Sequence, residues 1–219
     1  MIPVTALVVA KAPVPGLAKT RLAAALGDQM AANIAAAALL DTLETVAETP
    51  FAARVVAITG DLGMACQADA IRDRLSEFIV IEQRGDDFAE RLANAHADAA
   101  QAGGSMPVLQ IGMDTPQVTA ELLARSANAL LDAHAVLGLA CDGGWWLLGV
   151  ADPATAECLR QVPMSQPDTG ALTHQALLRT GSPVELLEEI PDVDTAADIA
   201  VVRAACRSSG RFARVTRGV

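Results

Sequence analysis

Lys11 and Lys19 are the only lysines in the chain, and both fall within one twelve-residue stretch, Lys-Ala-Pro-Val-Pro-Gly-Leu-Ala-Lys-Thr-Arg-Leu at positions 11–22. Three cations around one glycine, directly after a short apolar run, are the ingredients of a loop that holds phosphates. A turn at Gly16 frees backbone N–H groups, the lysines add point charges, and the planar guanidinium of Arg21 can grip two phosphate oxygens at once. The ligand implied is a polyphosphate, with Lys19 and Arg21 facing solvent at a strand end. The stretch is not a P-loop, because Leu17 and Ala18 separate Gly16 from Lys19, and it contains no G-x-G-x-x-G. A proline-stiffened basic surface turn is the alternative. The net charge of −10 weighs against it, since the cluster stands against the field of the whole chain.

Carboxylates would complete such a site. Asp114 follows an apolar run in Gly112-Met113-Asp114-Thr115-Pro116, where Pro116 keeps it out of the next helix. Mg²⁺ and Mn²⁺ take oxygen ligands and are commonly held by one or two carboxylates plus substrate phosphates, so Asp114 is a candidate metal ligand. A helix cap or Asx turn is its structural alternative. Asp192 and Asp194 raise the same question, with Asp194 able to cap the final helix. Asp142 precedes Gly143 and Gly144, which would let backbone approach a bound group, and it is a candidate to hold or deprotonate a substrate hydroxyl. The alternative is a tight turn. Trp145 and Trp146 would offer an apolar face to an acceptor, or else supply bulk to an alanine-rich core. His96, His134 and His174 form no pair at ligand spacing, and Ser165 lacks a Gly-x-Ser-x-Gly context.

The hydropathy pattern indicates the elements that position these groups. Apolar, β-branched runs at 6–10, 54–58, 78–82, 107–111 and 135–140 read as strands. Helices are predicted at 20–26, from Asp28 to about Thr49 where Pro50 stops the run, through Leu75, and at 87–102 and 119–132. Beyond the apolar run at 147–150, the pattern predicts short helices at 155–159 and 169–179, a strand at 184–187 and a last helix ending at Cys206. Strands alternating with helices at this spacing predict an α/β/α three-layer, Rossmann-like, mostly parallel sheet, with ligands at the carboxyl ends of its strands.

At 219 residues the chain fits a single domain, read here as residues 1–203 followed by a basic tail at 204–219. Five arginines from Arg203 to Arg217 make that tail basic, and it is read as solvated rather than as a nucleic-acid arm. A hydrophobic fraction of 52% with only 3% aromatics implies a core of Ala, Val, Leu and Ile. The pI of about 4.7 argues against general nucleic-acid binding. Cys66, Cys141, Cys158 and Cys206 show no metal-ligand spacing and read as reduced thiols of a cytoplasmic protein. The apolar N-terminus lacks the charge and cleavage pattern of a signal peptide, and no stretch reaches the ~18 uncharged apolar residues of a membrane span.

Taken in order, these motifs resemble the glycosyltransferase-A-like, nucleotide-diphospho-sugar transferase family, relatives of phospholactate guanylyltransferase, from residue 4 to about 203. The matching positions begin with Lys11, Pro13, Gly16, Lys19, Thr20, Arg21 and Leu22. A second motif is carried by Gln83, Gly85, Asp86, Glu90, Arg91 and Leu92. Gly112-x-Asp114-x-Pro116, Asp142 to Trp146 and Asp192 to Thr195 complete the set. The resemblance implies a nucleotide or nucleotide-sugar donor, a small-molecule acceptor and Mg²⁺ or Mn²⁺. It adds Thr20, Gln83 and Arg91 to the nucleotide-binding residues, Asp194 to Asp114 as metal ligands, and assigns Gly143, Gly144, Trp145 and Trp146 to the acceptor. Tryptophans stand where the family usually has tyrosines. Glycosyl transfer from a nucleotide-diphosphate sugar is the leading expectation. Nucleotidyl transfer to a small phosphorylated acceptor and a non-catalytic nucleotide-binding module are the alternatives.

Overall fold

The computed structural model describes residues 1–181 and 183–219. Its centre is β1 (Ile2–Lys11), where every side chain from Val4 to Ala10 is buried. Such a run has no polar face because both sides of the sheet are covered. Seven strands form one sheet, the others being β2 (Phe51–Thr59), β3 (Ile79–Glu82), β4 (Val108–Gly112), β5 (Ala135–Ala140), β6 (Trp145–Val150) and β7 (Val184–Ile190). Their order is β3-β2-β1-β4-β6-β5-β7. The pairs β1–β2, β1–β4, β2–β3 and β5–β7 are parallel, whereas β6 runs antiparallel to both β4 and β5. That reversal places the first residue of β6, Trp145, at the carboxyl ends of its neighbours.

Helices α1 (Thr20–Leu26), α2 (Asp28–Glu48), α3 (Ala68–Leu75), α4 (Phe88–Gly103), α5 (Ala120–Asp132), α6 (Thr169–Arg179), α7 (Asp198–Ala205) and α8 (Arg211–Val215) cover the sheet. Val4, Ala6, Val8 and Ala10 point to the face packed by α2, α3 and α5. Leu7 and Val9 point to the other, packed by α4, α6 and a 3₁₀ segment, Pro153–Gln161. Helix starts follow their side-chain caps where these exist. Asp87 Oδ1 accepts from Glu90 N at 2.8 Å and Thr119 Oγ1 from Leu122 N at 3.2 Å.

Helix α2 is apolar around most of its circumference and is long enough to cross a membrane by length and composition, yet 78% of its most apolar window is buried inside the protein. The reason is a third core on its outer side, where Ala31, Ile34 and Ala38 meet Leu22 of α1, Val193, Ile199 and Val202 beside and on α7, and Phe212 of α8. The reading of 204–219 as a solvated tail is corrected here. Phe212 is fully buried, Asp41 accepts from Arg211 N at 3.0 Å and Phe212 N at 2.8 Å, and Arg207 pairs with Glu48 at 2.9 Å. The outer face of α2 is an apolar stripe with an acidic rim, and a basic segment carrying one aromatic residue complements it.

Candidate functional site

A cavity of about 550 Å³ opens at the carboxyl ends of the strands, between the loop after β1, the first turns of α4, the loop after β4 and the segment 164–169. Lys11, Lys19, Arg21, Gln83, Arg91, Asp114, Asp142, Gly144, Trp145 and Asp194 all line it. Gly16 and Thr20 do not, although both belong to the cationic loop. Gly16 takes φ +78°, a turn that other residues adopt only with strain. Lys11 Nζ donates to Leu17 O at 2.7 Å, closing the loop on itself.

Lys19 departs from expectation. Instead of facing solvent it is folded inward with 15% of its side chain exposed, and its ammonium lies 2.7 Å from Asp114 Oδ2. Its backbone is left-handed, φ 50° and ψ 54°, immediately before α1. A non-glycine residue held there stores strain of order 1 kcal/mol, which is typical of positions fixed by function. Burial works against the ammonium, but Asp114, assisted by Asp192 and Asp194, outweighs it and holds the Lys19 pKa above the ordinary lysine value. Arg21 is solvent-facing as expected, 66% exposed, and reaches Asp194 Oδ2 at 2.5 Å.

The carboxylates therefore sit against the cations. Thr119 caps α5, which frees Asp114 from that role. Asp198 accepts from Asp194 N, Thr195 N and Thr195 Oγ1, so the turn before α7 is capped by Asp198 and Asp194 is free to face Arg21. Asp192 also lines the cavity. Burial, with Asp114 and Asp142 nearby, pushes its carboxyl up to about 6 against the opposing pull of Lys19. Among the described residues no group of three or more His, Cys, Asp and Glu is disposed as a closed metal cage. Asp114, Asp192 and Asp194 nevertheless line the same cavity, and hard cations are commonly held by only one or two carboxylates with the remaining coordination left to ligand phosphates.

Asp142, close enough to Asp192 and Arg21 to act on both charges, is exposed, and its Oδ1 accepts from Gly144 N at 2.8 Å, forming an Asx turn that leaves the second oxygen open. Gly143 serves packing rather than close approach of a ligand. At φ +91° a Cβ there would lie 1.8 Å from Pro167 O, so the residue lets the 164–169 segment close against the turn. Trp145 is half-buried and lines the cavity. Trp146 also lines the cavity but is only 2% exposed and packs into the core, so Trp145 presents the larger open surface. The Trp146 ring lies where a Cβ on Gly138 would collide with it, and Nε1 donates to Glu188 O at 3.0 Å. Gln83 lines the cavity, but its amide N–H groups are spent on Ala10 O and Ala57 O at 2.7 and 2.9 Å, so only its carbonyl oxygen remains for a ligand.

Several lining residues escape sequence reasoning. Phe88 is exposed at the start of α4, and Ser165, with φ 59°, is a second left-handed non-glycine residue on the cavity wall. Their sequence contexts carry no periodic or motif signal. Gln110 does carry one, as a lone amide inside the apolar strand β4. Beside it lies His96, fully buried with no hydrogen bond of good geometry at either ring nitrogen, and burial lowers its pKa to about 4 while a hydrogen bond with Gln110 opposes the shift. Because the folded state refuses a proton that the unfolded chain accepts near 6.5, stability is complete above that pH and falls as pH drops from about 6.5 to 4. We expect this histidine to account for up to about 3 kcal/mol of that loss. Urea titrations at pH 7, 5.5 and 4 should show a flatter profile for His96→Leu than for wild type, and identical slopes would refute the assignment.

No match is found among curated proteins. Solved structures are more informative. A protein of Desulfovibrio desulfuricans, provisionally named a nucleotide-diphospho-sugar transferase, superposes with a TM-score of 0.85 at 25% identity over 99% of this chain and 95% of its own. A 4-diphosphocytidyl-2C-methyl-D-erythritol synthase of Anaerococcus prevotii gives 0.60 at 15% identity, over 92% and 94%. The Mycobacterium tuberculosis protein Rv0371c in complex with manganese gives 0.55 at 20%, over 91% and 97%. The family model described as "Uncharacterized protein conserved in bacteria" (DUF2064) matches residues 42–166, a span that carries Asp114 and Asp142 but not the cationic loop. The chain thus belongs to the DUF2064 family and has the α/β fold of nucleotide-diphospho-sugar transferases.

Proposed function

We propose that the protein transfers a group from a nucleotide donor, with glycosyl transfer from a nucleotide-diphosphate sugar as the leading reaction. The observation that carries the reading is one cavity in which Lys19 and Arg21 are interleaved with Asp114, Asp192 and Asp194 at strand ends. Cations alone would suit any anion. Cations alternating with carboxylates suit a diphosphate with a divalent cation between them. Asp114 and Asp194 would hold Mg²⁺ or Mn²⁺ together with donor oxygens, and the cation would supply neutralisation of the departing diphosphate. Lys19, Arg21 and Lys11 would bind the phosphates. Arg91 and the carbonyl of Gln83 would serve the nucleoside end, and Trp145 with Gly144 would border the acceptor. Asp142 would take the proton of an acceptor hydroxyl as its oxygen bonds to the anomeric carbon. The bond from that carbon to the diphosphate breaks, and its electron pair leaves with the phosphate oxygen.

Nucleotidyl transfer is the second reading, supported by the fold shared with a cytidyl-transferring synthase. Product analysis separates them, since only nucleotidyl transfer releases pyrophosphate. For the shared donor site the decisive comparison is Asp114→Asn. A nucleotide at ~100 times its Kd should add about 2.7 kcal/mol to wild-type stability. The variant should lose at least tenfold in nucleotide affinity with Mn²⁺ present and much less in chelator. Equal losses in both conditions would make Asp114 a purely structural partner of Lys19.

A further inference from the structure

Gln110 is 2% exposed, lines the cavity from inside β4, and leaves Oε1 enclosed without a hydrogen-bond partner. Behind it His96 is fully buried, with the Gln110 amide as the polar group against its ring. Buried polar groups are nearly always satisfied, and a poorly satisfied one is costly, so a cavity-wall amide whose one polar neighbour is a buried imidazole held in poor hydrogen-bond geometry points to a partner that arrives with the ligand. Position indicates what kind. The charged groups belong to loops beyond the strand ends, whereas Gln110 lies two residues before Gly112, about 7 Å further down the strand. Val9, Leu92, Trp145 and Met164, which also line the cavity, pack on the same face of the sheet as Gln110 and are uncharged. A phosphate placed there would be desolvated without a counter-charge. An uncharged group rich in hydroxyls would be matched, because an amide can donate and accept at once and a neutral imidazole behind it can pair with the amide oxygen.

We infer that Gln110, oriented by His96, reads the glycosyl group of the donor through its hydroxyls. The inference rests on the donor reading given under Proposed function and names the residue that distinguishes a nucleotide sugar from the bare nucleotide. Its test uses UDP with UDP-glucose and UDP-N-acetylglucosamine, and GDP with GDP-mannose, titrated calorimetrically in Mn²⁺ into wild type, Gln110→Leu and the closer volume match Gln110→Met. The readout is the ratio of Kd for each nucleoside diphosphate to Kd for its sugar.

For the best-bound pair both variants should lower that ratio about tenfold while the diphosphate Kd stays within twofold and Tm does not fall, since a poorly satisfied amide has been removed. A ratio unmoved by substitution, or near one in wild type for every pair, overturns the assignment while leaving the donor site standing. Parallel loss of diphosphate affinity also overturns it, because Gln110 would then serve the nucleotide. Failure of both diphosphates to bind wild type overturns the donor reading itself, and this inference with it.

Discussion

Lys19→Met is expected to lose about 3 kcal/mol of stability at pH 7 and to bind nucleotide at least tenfold more weakly. Removing one partner of a buried pair leaves the other charge uncompensated, at a cost of roughly 3–5 kcal/mol when both are fully buried. The lower end applies because Asp114 keeps 32% of its side chain exposed. Asp192, already pushed up to about 6 by burial and by its carboxylate neighbours, loses the one cation that opposes the shift. Two controls separate electrostatics from lost packing. Lys19→Met combined with Asp114→Asn should recover part of the stability, because the orphaned charge is gone. Mn²⁺ should raise the Tm of Lys19→Met by more than that of wild type, since the ion replaces a missing positive charge. Urea denaturation that finds Lys19→Met as stable as wild type would mean that the Lys19–Asp114 pair does not form in solution.

Asp142→Asn should reduce turnover by about 10²- to 10⁴-fold, the range for removing a general base, while donor Kd stays within twofold. The substitution is unusually clean. Asn retains the oxygen that accepts from Gly144 N, so the Asx turn and the closure of 164–169 against Gly143 persist, and Tm should not move. Asp192→Asn is the informative contrast. Its carboxyl is held up by burial and by Asp114 and Asp142, so the folded state binds a proton between about 3.8 and 6 that the unfolded chain does not. Its contribution is therefore lost as pH rises through that window, and the ionised form is unfavourable at pH 7. Replacing it should stabilise the protein by about 1 kcal/mol once solvent screening of a half-exposed group is allowed for. Loss of donor binding in Asp142→Asn would move that residue into the phosphate or metal region and end the separation of donor and acceptor roles.

Sequence by itself determined the parts of this protein whose physics is local. The strand before the cationic loop, the Gly16 turn, the placement of Asp114 and Asp142 just after strands and the alternation of strands with helices all follow from side-chain period, glycine and proline. Most strand centres are accordingly where hydropathy puts them. Strand direction was not legible for β6, because an apolar run such as 145–150 pairs equally well in either sense, and the Asp142–Gly144 turn sets it antiparallel. Nor was the closure of the tail: whether Phe212 is covered depends on the outer face of α2, and residues 41 and 211 meet across 170 positions of chain.

The site shows the same division. Residue types near strand ends led to the expectation of a phosphate and metal site, but only the tertiary structure turned Lys19 inward to Asp114, 95 residues away, and gave Arg21 to Asp194. It also sent Trp146 to the core and brought Gln110 against His96. Burial and charge pairing depend on which distant segments exclude water from a group, and no local period encodes that.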